Sequence, residues 1–258
     1  MTTAPASGHD HRGHGHEEED ERADPQRDPT PPLASASAPA VCGAVGGPGH
    51  RRPVWQGPGG ARGSVAAVFD RLLLCSEVHE HLALRSPVGF LALHGGIEPG
   101  TEGMALTAAA AAGASAYVVT QPRSLGWHVS SHRIVTEQVP RLAEFLDHVD
   151  VVISVHGYFR PEQADALFVG GGERELAAEL ARRLRSVVDE MPVVDDLPTI
   201  PRSMRGVDPR NPVNRSRGGG VQLELPHRAR TDPGRGSGPS IAARVTTVLT
   251  EFAIERAA

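Results

Sequence analysis

Cysteine is nearly absent: Cys42 and Cys75 are the only two in 258 residues. Two thiols offer no disulfide framework and none of the paired spacing of a zinc knuckle. Cys42 stands in a Pro/Gly-rich stretch, whereas Cys75 follows Leu72-Leu73-Leu74 and reads as a small core residue, which is compatible with a reducing compartment. No apolar run approaches membrane-spanning length, and Met1-Thr2-Thr3-Ala4-Pro5 lacks the basic and apolar regions of a secretory signal. The net charge is only −5, and much of the acid lies in Glu17-Glu18-Glu19-Asp20-Glu21. Arginines cluster from Arg202 to Arg217 and from Arg228 to Arg235, but without interleaved aromatics and in Pro/Gly-rich segments, so no nucleic-acid footprint remains. These absences predict a soluble, cytoplasmic, monomeric protein with neither a nucleic-acid nor a membrane partner.

Apolar periodicity is also missing up to about Gly63, where Pro, Gly, Ala and charged residues dominate. Such a composition cannot bury enough surface to offset chain entropy, so residues 1–63 are expected to form a disordered leader. Its His9, His11, His14 and His16 would bind divalent metals weakly without any folded site. Residues 64–258 then make one domain, a normal size for a single core.

Within that domain, Val65 to Leu74 has helical spacing, and Val88 to Leu93 is a first strand. Thr101 is placed to cap a helix through Ala112, closed by Gly113. Ser115 to Thr120 is a second strand, Val139 to Asp147 a short helix, and Asp150 to Val155 a third strand that ends in His156-Gly157. Glu173 to Glu190 is amphipathic, with Leu176, Leu180 and Leu184 on one face. Val193-Val194 suits an edge strand, and Leu197 to Gly219 is a long polar loop of the kind that serves a site. Gly220 to Leu225 alternates strictly, and Ser240 caps a last helix through Ile254 and Arg256. Strands separated by helices imply an α/β fold with a mostly parallel or mixed central sheet and helices on both faces.

The chemistry begins where the first strand breaks, at His94-Gly95-Gly96-Ile97-Glu98. The glycines let the backbone turn so that an imidazole and a carboxylate can face one object, for which a divalent cation is the sharpest reason. A surface histidine and a glutamate supporting a helix dipole is the plainer alternative. The carboxyl ends of parallel strands share one edge, so His156 should arrive beside His94. Together with Glu98 they make a His₂Glu ligand set that leaves a fourth position for water. Glu224 shares a strand face with Gln222, opposite Val221, Leu223 and Leu225. There it could act as general base beside a metal-activated water, or pair with an arginine of the preceding loop. His128 could reach the same edge to stabilise an oxyanion or orient substrate, or it could hydrogen-bond with Ser130 or Ser131.

Four stretches, taken in order, resemble the motifs of phage-type poly-γ-glutamate hydrolases. They are His94-Gly95-Gly96-Ile97-Glu98-Pro99-Gly100-Thr101, Trp127-His128-Val129-Ser130-Ser131, Ser154-Val155-His156-Gly157 and Gly220-Val221-Gln222-Leu223-Glu224-Leu225. The likeness runs from about Val78 to the C-terminus. It implies a zinc-carboxypeptidase-like core that cleaves γ-glutamyl amide bonds, with His94, Glu98 and His156 as zinc ligands and Glu224 as general base. The family pattern has three glycines after the first histidine and this chain has two, which leaves Glu102 as a second candidate carboxylate. Trp127 stands where a smaller aliphatic residue is expected. A substrate bearing carboxylates needs a cationic clamp, for which Arg215 beside Asn214 is the first choice. The alternatives are an amidase of small N-acyl or γ-glutamyl amino acids and a non-catalytic metal-binding protein.

Overall fold

Strands β1 (His79–Ala83), β2 (Val88–Gly95), β3 (Ser115–Thr120), β4 (Val151–Tyr158), β5 (Leu167–Gly170), β6 (Val193–Val194) and β7 (Gly220–Pro226) form one sheet, in the order β1-β3-β2-β4-β7-β5-β6. The computed structural model describes residues 68–160, 165–231 and 238–258. The expectations for residues 1–63, Cys42 among them, lie outside the described residues. Neighbours from β3 through β2 and β4 to β7 are parallel, whereas β1 joins β3, and β5 joins β7, in antiparallel fashion. The sheet is therefore mixed, with a parallel centre.

Strand alternation divides the core into two layers. Phe90, Ala92, Val118, Ile153, Val155, Val221, Leu223 and Leu225 face one side, where they pack with α2 (Thr101–Ala112), α4 (Arg174–Arg185) and α6 (Ile241–Ala257). Leu91, Leu93, Tyr117, Val119 and Val152 face the other, against α1 (Val68–Leu73) and α3 (Pro140–His148). Helices thus cover both faces, as expected of strands whose two sides are both buried. Each fully buried Leu or Phe in these layers contributes roughly 1.5–3 kcal/mol.

Several local expectations are corrected. Thr101 is the first residue of α2 rather than its cap: Gly100 occupies the cap with φ 93°, and the Thr101 hydroxyl donates to the Glu98 carbonyl at 2.8 Å. Gly113, at φ 61°, does end that helix, and Ser240 caps α6 by accepting from the Ala243 amide at 3.2 Å. α4 stops at Arg185, five residues short of Glu190 in the predicted span. Strand β1 has a polar pattern, His-Glu-His-Leu-Ala, which hides it from a hydrophobic reading. It is an edge strand, and its Glu80 is held by the Tyr117 hydroxyl at 2.6 Å and by Arg141 at 3.2 Å. Cys75 is buried, as expected of a small core residue. Among the described residues, no helix is long and apolar enough to cross a membrane.

Candidate active site

β2 and β4 pair in parallel from Val88↔Val151 to Leu91↔Ser154 and then stop pairing. Against β3, meanwhile, β2 runs from Ala92↔Val118 to Gly95↔Thr120, three steps against two. This extra residue resets the in-and-out alternation at the strand end, the usual effect of a bulge, and re-aims His94. Gly95 and Gly96 are needed here because β3 crowds them. A Cβ on Gly96, whose φ is +81°, would lie 2.0 Å from the Gln121 carbonyl oxygen.

Into the opening between the strand ends project His94, Glu98 and His156, all buried. The Nδ1 of His94 lies 2.9 Å from Glu98 Oε1 and 3.2 Å from His156 Nδ1, and His156 Nδ1 is 3.5 Å from Glu98 Oε2. Tetrahedral ligands at zinc-like bond lengths stand about 3.3–3.4 Å apart, so these separations suit three ligands of one ion with a fourth position free. The tautomer of His94 suits it as well. Its Nε2 is 2.8 Å from the Val129 carbonyl, which can only accept, so the neutral ring keeps its bare lone pair on Nδ1. Glu98 is steadied by the Gly157 amide, which donates to Oε2 at 2.9 Å. Glu102 stays outside the cluster in the first turn of α2, so the carboxylate brought to the histidines is Glu98.

His128 approaches from the solvent side. Its Nε2 is 3.5 Å from Glu98 Oε1, its ring centroid is 4.4 Å from that of His94, and its side chain is 56% exposed. By separation alone, His94, Glu98 and His128 also make a group that could hold a metal ion. The loop carrying His128 is clamped by Gln121, whose side chain donates to the Trp127 carbonyl at 2.8 Å and accepts from its amide at 3.0 Å.

Electrostatics knit the cluster together. Burial, the largest effect, opposes a charge on His94, yet Glu98 and the Val129 carbonyl outweigh it and leave its pKa raised. Burial likewise opposes ionisation of Glu98, but the three histidines hold its carboxyl well below the usual range. Burial pushes the His156 pKa down, against the pull of Glu98.

Glu224 stands opposite His156 in the β4–β7 ladder, on the same face and one strand spacing away. Burial, and then the charge of Glu98, push its pKa well above the usual carboxylate range, while Gln222, Arg160 and Arg230 oppose the rise. Gln222 Nε2 donates to its Oε1 at 2.9 Å. The Gln222 amide is itself oriented, because its Oε1 accepts from Asn211 Nδ2 at 2.9 Å and Asn211 Oδ1 accepts from the Val213 amide at 3.3 Å. The long loop before β7 therefore serves the site by fixing the donor aimed at Glu224.

Asn214 and Arg215 are not brought to the cluster. Arg215 pairs with Glu137, and Asn214 is spent on the Gly206 and Asp208 carbonyls and the Gly172 amide. Their turn packs against Gly220, at the start of β7, four residues from Glu224 and so about 13 Å along the strand. Two other cations, Arg160 and Arg230, act on Glu224. Arg160 follows the β4 end by two residues and lines a cavity of about 310 Å³ with Phe159, His227 and Arg228, floored by Tyr158 and Pro226 just beyond His156 and Glu224. Its guanidinium donates to Ser203 Oγ at 3.1 Å and has no carboxylate partner among the described residues. Arg160 lay within reach of the strand-edge reasoning that found His156, had it been carried four residues further.

A His-Glu-His cluster with a second carboxylate beside it, at the carboxyl edge of an α/β sheet, is the arrangement of a metal-assisted hydrolase. The chain belongs to the poly-gamma-glutamate hydrolase family, whose model matches residues 76–235, more than half of the chain. Among solved structures it is similar to a bacteriophage poly-gamma-glutamate hydrolase, with 23% identity and a TM-score of 0.55 over 70% of this chain and 89% of that one. It is also similar to zinc-free apo YNDL, with 29% identity and a TM-score of 0.54 over 69% and 89% of the two chains. A putative carboxypeptidase from Burkholderia mallei matches at 9% identity and a TM-score of 0.42, over 74% of this chain and 66% of that one. No curated protein matches the chain.

Proposed function

We propose that this hydrolase cleaves γ-glutamyl amide bonds of a polyanionic chain, with zinc held by His94, Glu98 and His156. The observation that carries this reading is the mutual 2.9–3.5 Å approach of two Nδ1 atoms and one carboxylate in a buried pocket, beside a second carboxylate. When bound, the metal supplies Lewis acidity, which makes a water acidic near neutral pH and polarises the amide carbonyl. Glu224 would accept a proton from an attacking water at a carboxylate oxygen and return it to the departing amine nitrogen. Burial, which raises its pKa, favours holding the proton between the two halves of this exchange. His128, exposed at the mouth, orients the substrate and offers a proton donor to the oxygen that gains charge.

Arg160 is the better candidate for the substrate carboxylate, because it follows the strand that carries His156 and is paired with no acid among the described residues. Removing one hydrogen bond to a charged group costs roughly 1.5–3 kcal/mol, so Arg160→Ala is expected to raise KM about tenfold or more, with a smaller change in kcat. Steady-state kinetics on the polymer check this, and an unchanged KM would move the clamp elsewhere.

The function itself is tested by incubating the protein with poly-γ-glutamate and zinc. Cleavage into glutamate or short oligomers that stops with a chelator is the expected result. Zinc binding without cleavage would shift the substrate to small N-acyl amino acids, and absence of zinc binding by the buried residues would remove the mechanism.

A further inference from the structure

Arg230 is a buried arginine, with 7% of its surface exposed, in the short helix α5 (His227–Thr231) that follows β7. A buried guanidinium must be paired or hydrogen-bonded, because leaving it unsatisfied is expensive. Its partners are three backbone carbonyls from three separate segments. Nη1 donates to Pro99 at 2.5 Å, Nη2 to Tyr158 at 3.3 Å and Nε to Leu225 at 3.1 Å. Pro99 is the residue after Glu98, Tyr158 stands two after His156, and Leu225 is the residue after Glu224. Room for the group is left by Gly157, where a Cβ would lie 2.3 Å from the guanidinium carbon. Burial, the largest effect, opposes the charge of Arg230 and leaves its pKa lowered, against the pull of Glu98, Glu224 and Glu102.

We propose that Arg230 is the positioning residue of this site: one planar guanidinium locks the backbone beyond Glu98, beyond His156 and beyond Glu224 into a single frame. The inference rests on the functional reading above. The three segments come from distant parts of the chain; β4 and β7 stay paired through Tyr158↔Pro226, but β2 has parted from β4 after Leu91 and Ser154, so at this level the sheet does not hold the segment of Glu98 and Pro99 to the other two. Arg230 spans that gap. Lysine cannot replace it, because an ammonium is a point donor on a flexible stem and cannot meet three carbonyls set around a rigid fork.

The test compares Arg230→Lys and Arg230→Met with the unaltered full chain. Four quantities are read: the folded fraction, kcat and KM on poly-γ-glutamate at saturating zinc, and the slow phase of zinc release to excess chelator. Both variants are expected to fold. Per folded molecule, kcat should fall at least tenfold in each with KM within about twofold, and slow zinc release should quicken at least tenfold. A lysine variant with unchanged kcat and unchanged release would overturn the proposal, as would loss of folding in both, which would make Arg230 a support of the fold instead of the site. If the unaltered chain binds zinc but leaves the polymer intact, the substrate reading fails by itself. Zinc release then decides on Arg230: quickened release in folded variants sustains the proposal, and unchanged release sinks it.

Discussion

Glu224→Gln is expected to keep the metal site and the fold while lowering kcat by about 10²–10⁴-fold, the usual weight of a positioned general base. The substitution is close to isosteric, and the new amide can still offer its oxygen to Gln222 Nε2, so the chain of amides from Asn211 through Gln222 stays in place. What disappears is the group that accepts the water's proton. Burial works in the variant's favour, because a neutral amide is cheaper than a carboxylate at that position. Steady-state release of glutamate or oligomers, measured beside metal content, separates the two effects. Turnover within a fewfold of the unaltered chain would take Glu224 out of the mechanism.

Removing a ligand should act in the opposite way. In a chain lacking residues 1–63, whose histidines would otherwise obscure the measurement, His156→Ala is expected to weaken zinc binding by more than about 100-fold. Even losses of groups that merely orient a ligand cost 10–100-fold. His156 sits 3.2 Å from His94 and 3.5 Å from Glu98, so its loss opens the ligand triangle and leaves the buried Glu98 carboxylate with fewer donors. His128→Ala in the same chain is expected to retain one zinc, because its exposed ring stands 3.5 Å from Glu98 on the solvent side. One-to-one zinc in the first variant and none in the second would reverse the assignment and make His94, Glu98 and His128 the ligand set.

Much of this site was legible before any coordinates. His94 and His156 each end an apolar run, and the rule that parallel strands present their carboxyl ends on one edge was enough to bring them together across sixty-two residues. The alternation of Val221, Leu223 and Leu225 placed Glu224 and Gln222 on the face away from the helices α2, α4 and α6, where both are found. Edge strand β1 escaped because its exposed His79 and His81 carry no apolar signal. The clamp expected at Asn214-Arg215 rests on nearness in sequence to Glu224, which is not nearness in space. A strand of seven residues separates its two ends by about 20 Å, and those residues pack at its start.

The order of residues by itself determined the α/β alternation, the strand-end histidines, the paired carboxylates and the family, because each depends on local periodicity or on contiguous motifs. Only the tertiary structure decided that Glu98 joins the histidines in place of Glu102, since that depends on how a two-glycine loop packs against Gln121. It alone also set Arg230 against the carbonyls of Pro99, Tyr158 and Leu225. A side chain's reach to distant segments depends on which turns leave it room, as Gly157 does, and that is a property of the packed chain alone.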